Sequence, residues 1–452
     1  MKIFIETLGC PKNFNDSEGI GGICEEAGMT VSQSPCDADV IIVNTCGFIN
    51  DAKTESIDTI FSMARLIEER MENEPSADKP LLIVSGCLSE RYGRELSEEI
   101  PEADIFMGVN DYERLPEIIA EKKRLYRSPA PGCFREFSAR KMADNPYSAT
   151  LRIAEGCNNR CAYCVIPQIR GGYRSRPMED IIREAEHMAG EGTRELILIA
   201  QDLTEYGRDI YGSLMLPQLL RRLCAIGGKD PDKGFRWIRL MYCYEDKITD
   251  ELIEVMASEE RICRYIDIPL QHISDNVLKS MRRRSTSSGI KDTVMRLRKA
   301  MPDIHIRTTF ITGFPGETED DFDRLYDFAG EFRFERLGVF AYSREEGTPA
   351  GDREDQIPEN IRAERADSIM RMQVDISREV NEGKTGKVFE VLVDGIDEEG
   401  AYVGRTMYDA PEIDNTVIFK SDNEHRPGDF VNVQVLDAFD YDLVGVEVKK
   451  GR

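Results

Sequence analysis

The sequence predicts an α/β chain in three parts: an N-terminal parallel-sheet domain, a central partial β/α barrel and a small C-terminal β-barrel. Three observations predict it. Short apolar runs alternate with helix-like stretches through most of the 452 residues, which is the rhythm of strands joined by crossover helices. A stretch between 127 and 150 breaks that rhythm with Pro and Gly and little periodicity, so it reads as a connector. Beyond Asn381 five short apolar runs follow one another, as in a small barrel. A chain of this length exceeds one ordinary core, and two or three domains are expected.

In the first part, residues 1–125, strands are expected at Lys2 to Leu8, Val40 to Thr45, Leu81 to Ser85 and Ile105 to Val109. The connector holds Ser128-Pro129-Ala130-Pro131-Gly132 and Asn145-Pro146. The central part, 143–375, opens on the apolar run Leu151 to Ala154 and continues with Glu195 to Ala200, Trp237 to Tyr242, Tyr265 to Ile268, Ile306 to Ile311 and Leu337 to Ala341. Alternation with helices then implies a partial or complete barrel. A polar helical stretch, Pro358 to Asn381, leads into the last part, 376–450, with strands at Lys387 to Val393, Tyr402 to Arg405, Thr416 to Phe419, Phe430 to Leu436 and Leu443 to Val448.

Composition narrows the function. No apolar run approaches the roughly 18 residues of a membrane span, so no membrane partner is expected. Met1 leads directly into the strand-like Lys2-Ile3-Phe4-Ile5-Glu6 without the apolar stretch of a signal peptide, which points to the cytoplasm. Twelve cysteines in a cytoplasmic chain suggest metal binding or catalysis, because such thiols stay reduced. The net charge of −25 repels a phosphate backbone and favours a basic or protein partner.

Cys157, Cys161 and Cys164 stand at spacings of four and three, directly after the first central apolar run. Their thiolates can converge. A structural zinc would want a fourth ligand, yet the nearest other candidates are Cys133 upstream and His187 downstream. An iron-sulfur cluster held by three cysteines leaves one iron open to an exogenous ligand. Cys10, Cys46 and Cys87 are dispersed, but each closes an apolar strand. In an open parallel sheet the crevice lies outside the carboxyl ends of the strands, where such residues meet. The alternative is that they are small core residues. Cys24, Cys36, Cys133, Cys224, Cys243 and Cys263 share no such placement and are read as buried or surface thiols.

The run from Cys157 to Cys164 resembles the radical S-adenosylmethionine signature. Both triplets, their order and the barrel tail are similar to the methylthiotransferase family over essentially the whole chain. Leu8-Gly9-Cys10-Pro11-Lys12-Asn13 resembles the branch that modifies a ribosomal protein, since the tRNA-modifying branch tends to carry Gln and Met after that cysteine. Asp409-Ala410-Pro411-Glu412-Ile413-Asp414 points the same way, while Asn15 stands where Val is common. The resemblance implies two 4Fe-4S clusters, one on Cys157, Cys161 and Cys164 and an auxiliary one on Cys10, Cys46 and Cys87, with S-adenosyl-L-methionine as cofactor. It implies a 5′-deoxyadenosyl radical that takes hydrogen from the β-carbon of an aspartate in small-subunit ribosomal protein S-twelve, and an unidentified reductase as electron donor. The alternative within the family is a tRNA methylthiotransferase acting on a modified adenosine. An iron-sulfur electron carrier or RNA-binding module without catalysis, and a zinc-stabilised scaffold, are the rivals outside it.

For the cofactor pocket, strand ends offer Gln201, Gln271 and Gly313, and Tyr163 inside the triplet offers a ring for adenine. Arg170, Arg174 and Arg176 are read either as partners of a substrate carboxylate or as solvated loop charges. Arg282-Arg283-Arg284 reads as a basic run on a helix, at the surface or against ribosomal RNA. The tail resembles a TRAM domain, an RNA-binding module, yet from Thr385 to Arg452 seven Lys or Arg stand against fifteen Asp or Glu, a net of −8. Counterion release requires the opposite sign. A basic ribosomal protein is therefore the expected partner, and tRNA is not.

Overall fold

The computed structural model describes residues 1–76, 78–129, 146–228, 230 and 233–449. Most of the expected connector, and Cys133, lie outside the described residues. The first domain holds β1 (Lys2–Thr7), β2 (Thr30–Val31), β3 (Val40–Thr45), β4 (Leu81–Ser85), β5 (Ile105–Met107) and β6 (Leu125–Tyr126) in one sheet, in the order β2-β1-β3-β4-β5-β6. Every pairing in it is parallel.

Helices α1 (Pro11–Glu26), α2 (Asn50–Asn73) and α3 (Gly86–Glu99) follow β1, β3 and β4. Ile41 and Val43 pack with Ile60, Ala64 and Ile67 of α2 on one face, while Val40 and Ile42 pack with Ile20 and Cys24 of α1 on the other. Covered on both faces, β3 is buried at every position, which is why it reads as an unbroken apolar run. The strands β2 and β6 are two residues long, too short for periodicity to reveal. Because β1, β3 and β4 are neighbours, the segments that follow them emerge side by side.

In the central domain β7 (Ser148–Arg152) is followed by a small antiparallel ribbon of β8 (Ala154–Glu155) and β9 (Arg174–Ser175). Ser148 to Thr150, expected in the connector, therefore belong to β7; alternate burial on an edge strand hides such a segment from a search for apolar runs. The strands β10 (Glu195–Ile199), β11 (Trp237–Leu240), β12 (Ile262–Gln271), β13 (His305–Thr312) and β14 (Arg336–Ala341) complete a six-stranded sheet, β14-β13-β12-β11-β10-β7. All five pairings are parallel, and β7 and β14 are edges. The partial form of the barrel is what is found.

Helices such as Met178–Gly190, Ser287–Ala300 and Glu319–Phe332 cover the outer face with one large apolar core. The inner face, including Ile197, Ile199, Trp237, Cys263 and Tyr265, is covered by Leu392, Ala410 and Phe430 of the C-terminal domain. Cys263 is thus a core residue.

The polar helical stretch forms Glu359–Glu382. It leads into a closed five-stranded barrel, β15 (Val388–Ile396), β16 (Tyr402–Thr406), β17 (Val417–Lys420), β18 (Phe430–Ala438) and β19 (Leu443–Glu447), in the order β15-β16-β17-β19-β18. Buried ion pairs dock it: Glu195, already bonded to Arg239 at 2.8 Å within the central sheet, bonds Arg405 at 3.0 Å, and Arg336 bonds Asp409 at 2.5 Å. Burial alone would raise the Glu195 carboxyl, but the guanidinium groups of Arg405 and Arg239 overcome that and hold it at about 2. Among the described residues no helix is long and apolar enough to cross a membrane.

The N-terminal domain reaches both edges of the central sheet. From α1, Asn15 Nδ2 donates to Thr150 Oγ1 at 3.2 Å and Asp16 Oδ1 accepts from Arg152 at 2.5 Å. On the other side Lys53 and Arg91 each pair with Glu345, just beyond β14, at 2.9 Å. The carboxyl ends of the two sheets are thereby turned toward a common space.

Candidate functional site

Cys10 is the residue before α1, and Pro11 begins the helix, a position where the missing N–H of proline is no loss. The Cys10 thiol makes no capping bond and stays free. Cys46 directly follows β3, with its peptide clamped by Ser56, which accepts from the Cys46 N–H and donates to the Cys46 carbonyl, both at 3.0 Å. Cys87 lies in the first turn of α3, next to Gly86. Gly86 has φ +93°, and a Cβ there would stand 2.4 Å from the Thr45 carbonyl oxygen, so only glycine lets α3 start against β3.

Buried Asn13 stitches the three segments together. Its Nδ2 donates to Leu8 O at 2.8 Å and Thr45 O at 3.1 Å, while Asn44 donates to the Asn13 carbonyl at 2.9 Å. The thiols sense one another: burial first, and then Cys10, push up the Cys46 thiol and hold Cys87 at about 11.

Cys157 follows β8 after Gly156, whose φ is +80° and whose added Cβ would lie 2.2 Å from the Gly172 carbonyl. That tight approach folds the triplet loop back on the Gly171-Gly172 turn, where Cys157 N donates to Gly171 O at 3.1 Å. Cys161 Sγ lies 3.8 Å from Tyr244 Oη. The Cys164 sulfur accepts from Ile166 N at 3.4 Å. Burial raises Cys157 to about 11 and Cys164 to about 12, and Cys161 adds to both. As raised thiols these groups bind a metal only with release of their protons.

All six candidate cysteines are free thiols. Among the described residues no three His, Cys, Asp or Glu side chains close on one point as around a single ion. A four-iron cluster presents its corners several ångströms apart, so its thiolates stand around a body rather than meet at a point. Three neighbouring thiols per group, with no histidine or carboxylate among them, suit iron-sulfur chemistry.

Arg170 joins the two groups. It ends the helix Ile166–Arg170, just past Cys164, and it is buried. Its Nη1 bonds Asp16 Oδ2 at 2.7 Å, and its Nη2 donates to Asn13 Oδ1 at 3.1 Å and to Cys87 Sγ at 3.2 Å. Its guanidinium is therefore committed across the domain boundary and has no free fork for a substrate carboxylate. Arg176 is likewise buried, with Asp180 and Glu184 both at 2.6 Å, whereas Arg174 donates to the Gly172 and Arg170 carbonyls. Sequence reasoning singled out Arg170 for chemistry but missed Asn13 and Asp16, whose spacing of three along α1 was the available signal.

Of the expected cofactor residues, Gln201, Gln271 and Gly313 lie at carboxyl ends of central strands, and Tyr163 lies in the loop that carries Cys157, Cys161 and Cys164. Gln201 Nε2 bonds Glu155, and its Oε1 is buried without a partner. Gln271, the last residue of β12, adopts φ +70°, an uncommon conformation for a non-glycine residue that concentrates at ligand sites. Tyr163 is half-buried, accepts from Arg283 at 3.4 Å and meets the Phe314 ring edge-on at 6.5 Å. Gly313 is different: its N–H is taken by Glu317 at 2.9 Å, and the space a Cβ would need is filled by Arg362. That glycine is explained by packing against the Glu359–Glu382 helix.

The basic run at 282–284 is not helical. It lies in the turn after the helix Asp275–Ser280, with Arg282 at φ +58°. Arg283 is buried and donates to both oxygens of Glu245, at 2.8 and 3.1 Å. Tertiary pairing turned a surface-like run into a brace. With Asn159, Tyr244 and Asp246 these arginines line a cleft beside Cys161.

Three family descriptions match segments of the chain. Residues 2–108 match the uncharacterized protein family UPF0004, 151–329 the radical SAM superfamily and 385–448 the TRAM domain. The chain is 46% identical to the ribosomal protein uS12 methylthiotransferase RimO of Acetivibrio thermocellus, over 98% of each chain. It is 47% identical to the RimO of Caldanaerobacter subterraneus subsp. tengcongensis, again over 98% of each. In fold it is similar to the radical S-adenosylmethionine methyltransferase TsrM from Kitasatospora setae, solved with tryptophan substrate and a SAM analog, at TM-score 0.58 and 15% identity over 77% of this chain and 74% of that one.

Proposed function

The chain belongs to the RimO family of ribosomal protein uS12 methylthiotransferases, and we propose that it adds a methylthio group to the β-carbon of an aspartate in uS12. It is a radical S-adenosylmethionine methylthiotransferase whose cofactors are S-adenosyl-L-methionine and 4Fe-4S clusters. The observation that carries the reading is full-length identity to RimO relatives joined to two cysteine triplets at the mouth of one partial barrel.

Cys157, Cys161 and Cys164 would hold the cluster that takes S-adenosylmethionine, and Cys10, Cys46 and Cys87 the auxiliary one. When bound, these groups supply one-electron cleavage of the sulfonium and a sulfur to be methylated and transferred. The protein's own contribution is placement. Arg170 and Asp16 hold the two sites in register, and Gln201, Gln271 and Tyr163 would hold the cofactor, with Gly313 shaping the turn beside them.

The functional division follows residues 1–125, 143–375 and 376–450. The reaction takes place in the cytoplasm with a one-electron reductase as partner. The barrel, at a net of −8 from Thr385 to Arg452, favours a basic protein and disfavours a phosphate backbone. The tRNA alternative is not favoured, since the full-length relatives act on uS12 by name.

The test is to incubate the reconstituted enzyme and reductant with uS12 and, separately, with tRNA, and to weigh both products. A methylthio increment on uS12 alone is expected. An increment on tRNA alone would overturn the assignment. Association with uS12 should also weaken as salt rises.

A further inference from the structure

The ammonium of Lys12 lies 3.5 Å from the centroid of the Tyr242 ring. Lys12 sits in the first turn of α1, two residues past Cys10, while Tyr242 lies just beyond the carboxyl end of β11. The side chain therefore crosses from the auxiliary triplet to the mouth of the central sheet. No hydrogen bond or ion pair ties its Nζ to another described residue.

The nearby acids are already engaged. Glu155 is paired with Arg152 and Gln201, and Asp267 with Arg307 at 3.1 Å and with the Tyr242 N–H at 3.0 Å. A half-buried ammonium with no carboxylate of its own is unfavourable, and an aromatic face offsets part of that cost. The shelf under it is itself unusual: Tyr242 has φ +60°, the left-handed region in which non-glycine residues gather at ligand clamps.

We infer that Lys12 pairs with the side-chain carboxylate of the target residue and makes the site selective for an acidic side chain over its amide. This rests on the uS12 reading above. A lysine suits the task because it is a compact point charge that can hold one carboxylate oxygen, leaving the adjoining carbon free to face the cofactor space. The other carboxylate source in the reaction is S-adenosylmethionine itself, and the experiment separates the two.

Reconstituted holoenzyme is titrated with uS12 and with uS12 whose target aspartate is replaced by asparagine, and in a second arm with S-adenosylmethionine. Wild type should bind the aspartate form about tenfold more tightly, the difference expected for one charged hydrogen bond. Lys12→Met, of similar length without the charge, should bind both forms alike, and Lys12→Arg should keep a preference. Iron content and the visible spectrum establish that each variant has assembled its clusters.

Equal binding of the two forms by wild type overturns the proposal without any variant. So does an undiminished preference in Lys12→Met, or a loss confined to S-adenosylmethionine affinity, which would give Lys12 to the cofactor. If wild type places no methylthio group on uS12 at all, the functional reading itself fails, a different result from modified uS12 with no dependence on Lys12.

Discussion

Cys157, Cys161 and Cys164 occupy one loop of eight residues, whereas Cys10, Cys46 and Cys87 are brought together from the ends of three neighbouring strands, β1, β3 and β4. The first group depends on a local backbone: Gly156 against the Gly171-Gly172 turn, and Cys164 accepting from Ile166. The second depends on strand order and on the bonds of Asn13, which reach Leu8, Thr45 and Arg170. A local site tolerates changes elsewhere in the fold, while a dispersed one inherits every weakness of the sheet that assembles it. Arg170 complicates the division, because an arginine beside the local site supports the dispersed one.

The comparison breaks first at the cysteines. Cys161→Ala should abolish 5′-deoxyadenosine formation and lower iron to about half, as expected when one of two similar clusters is lost. Cys87→Ala should lower iron similarly but leave 5′-deoxyadenosine formation while ending methylthio transfer, as chromatography of nucleosides and mass measurement of uS12 will check. Parallel losses in both variants would mean that the two sites are not separable.

Arg170→Leu tests the bridge. Removing one partner of a buried ion pair costs about 3 kcal/mol, here at the lower end because Asp16 keeps Arg152 at 2.5 Å. Urea unfolding should show that loss, and iron should fall at the N-terminal site before the central one. Arg170→Lys should recover part of it.

Gly86→Ala and Gly156→Ala sharpen the contrast, each expected to cost about 1–3 kcal/mol from a left-handed residue with a crowded Cβ. Thermal melts should register both. Gly156→Ala should impair 5′-deoxyadenosine formation, and Gly86→Ala chiefly methylthio transfer.

The smallest effect at neutral pH is expected far from both triplets. Glu195, held at about 2 against an ordinary 4.5, stabilises barrel docking above pH 4.5 and loses that contribution as pH falls through about 2. Trp237, the sole tryptophan, packs edge-on to Phe430 of the barrel with centroids 4.8 Å apart, so its fluorescence should change over that acid window and stay constant from neutral pH down to about 5.

The sequence alone determined the three-part α/β plan, because strands buried on both faces, such as Val40–Thr45, must be continuously apolar. It also singled out both cysteine triplets, one by spacing and the other by position at strand ends. Only the tertiary structure decided which charges are spent within the fold. Arg170, Arg176 and Arg283 look like free loop arginines in the chain, yet each is buried against carboxylates from distant or neighbouring segments. Lys12, unremarked as a charge in the sequence, is left beside an aromatic ring instead. The physical reason is that a side chain's burial and partners depend on which surfaces dock, and docking between domains leaves no periodic trace along the chain.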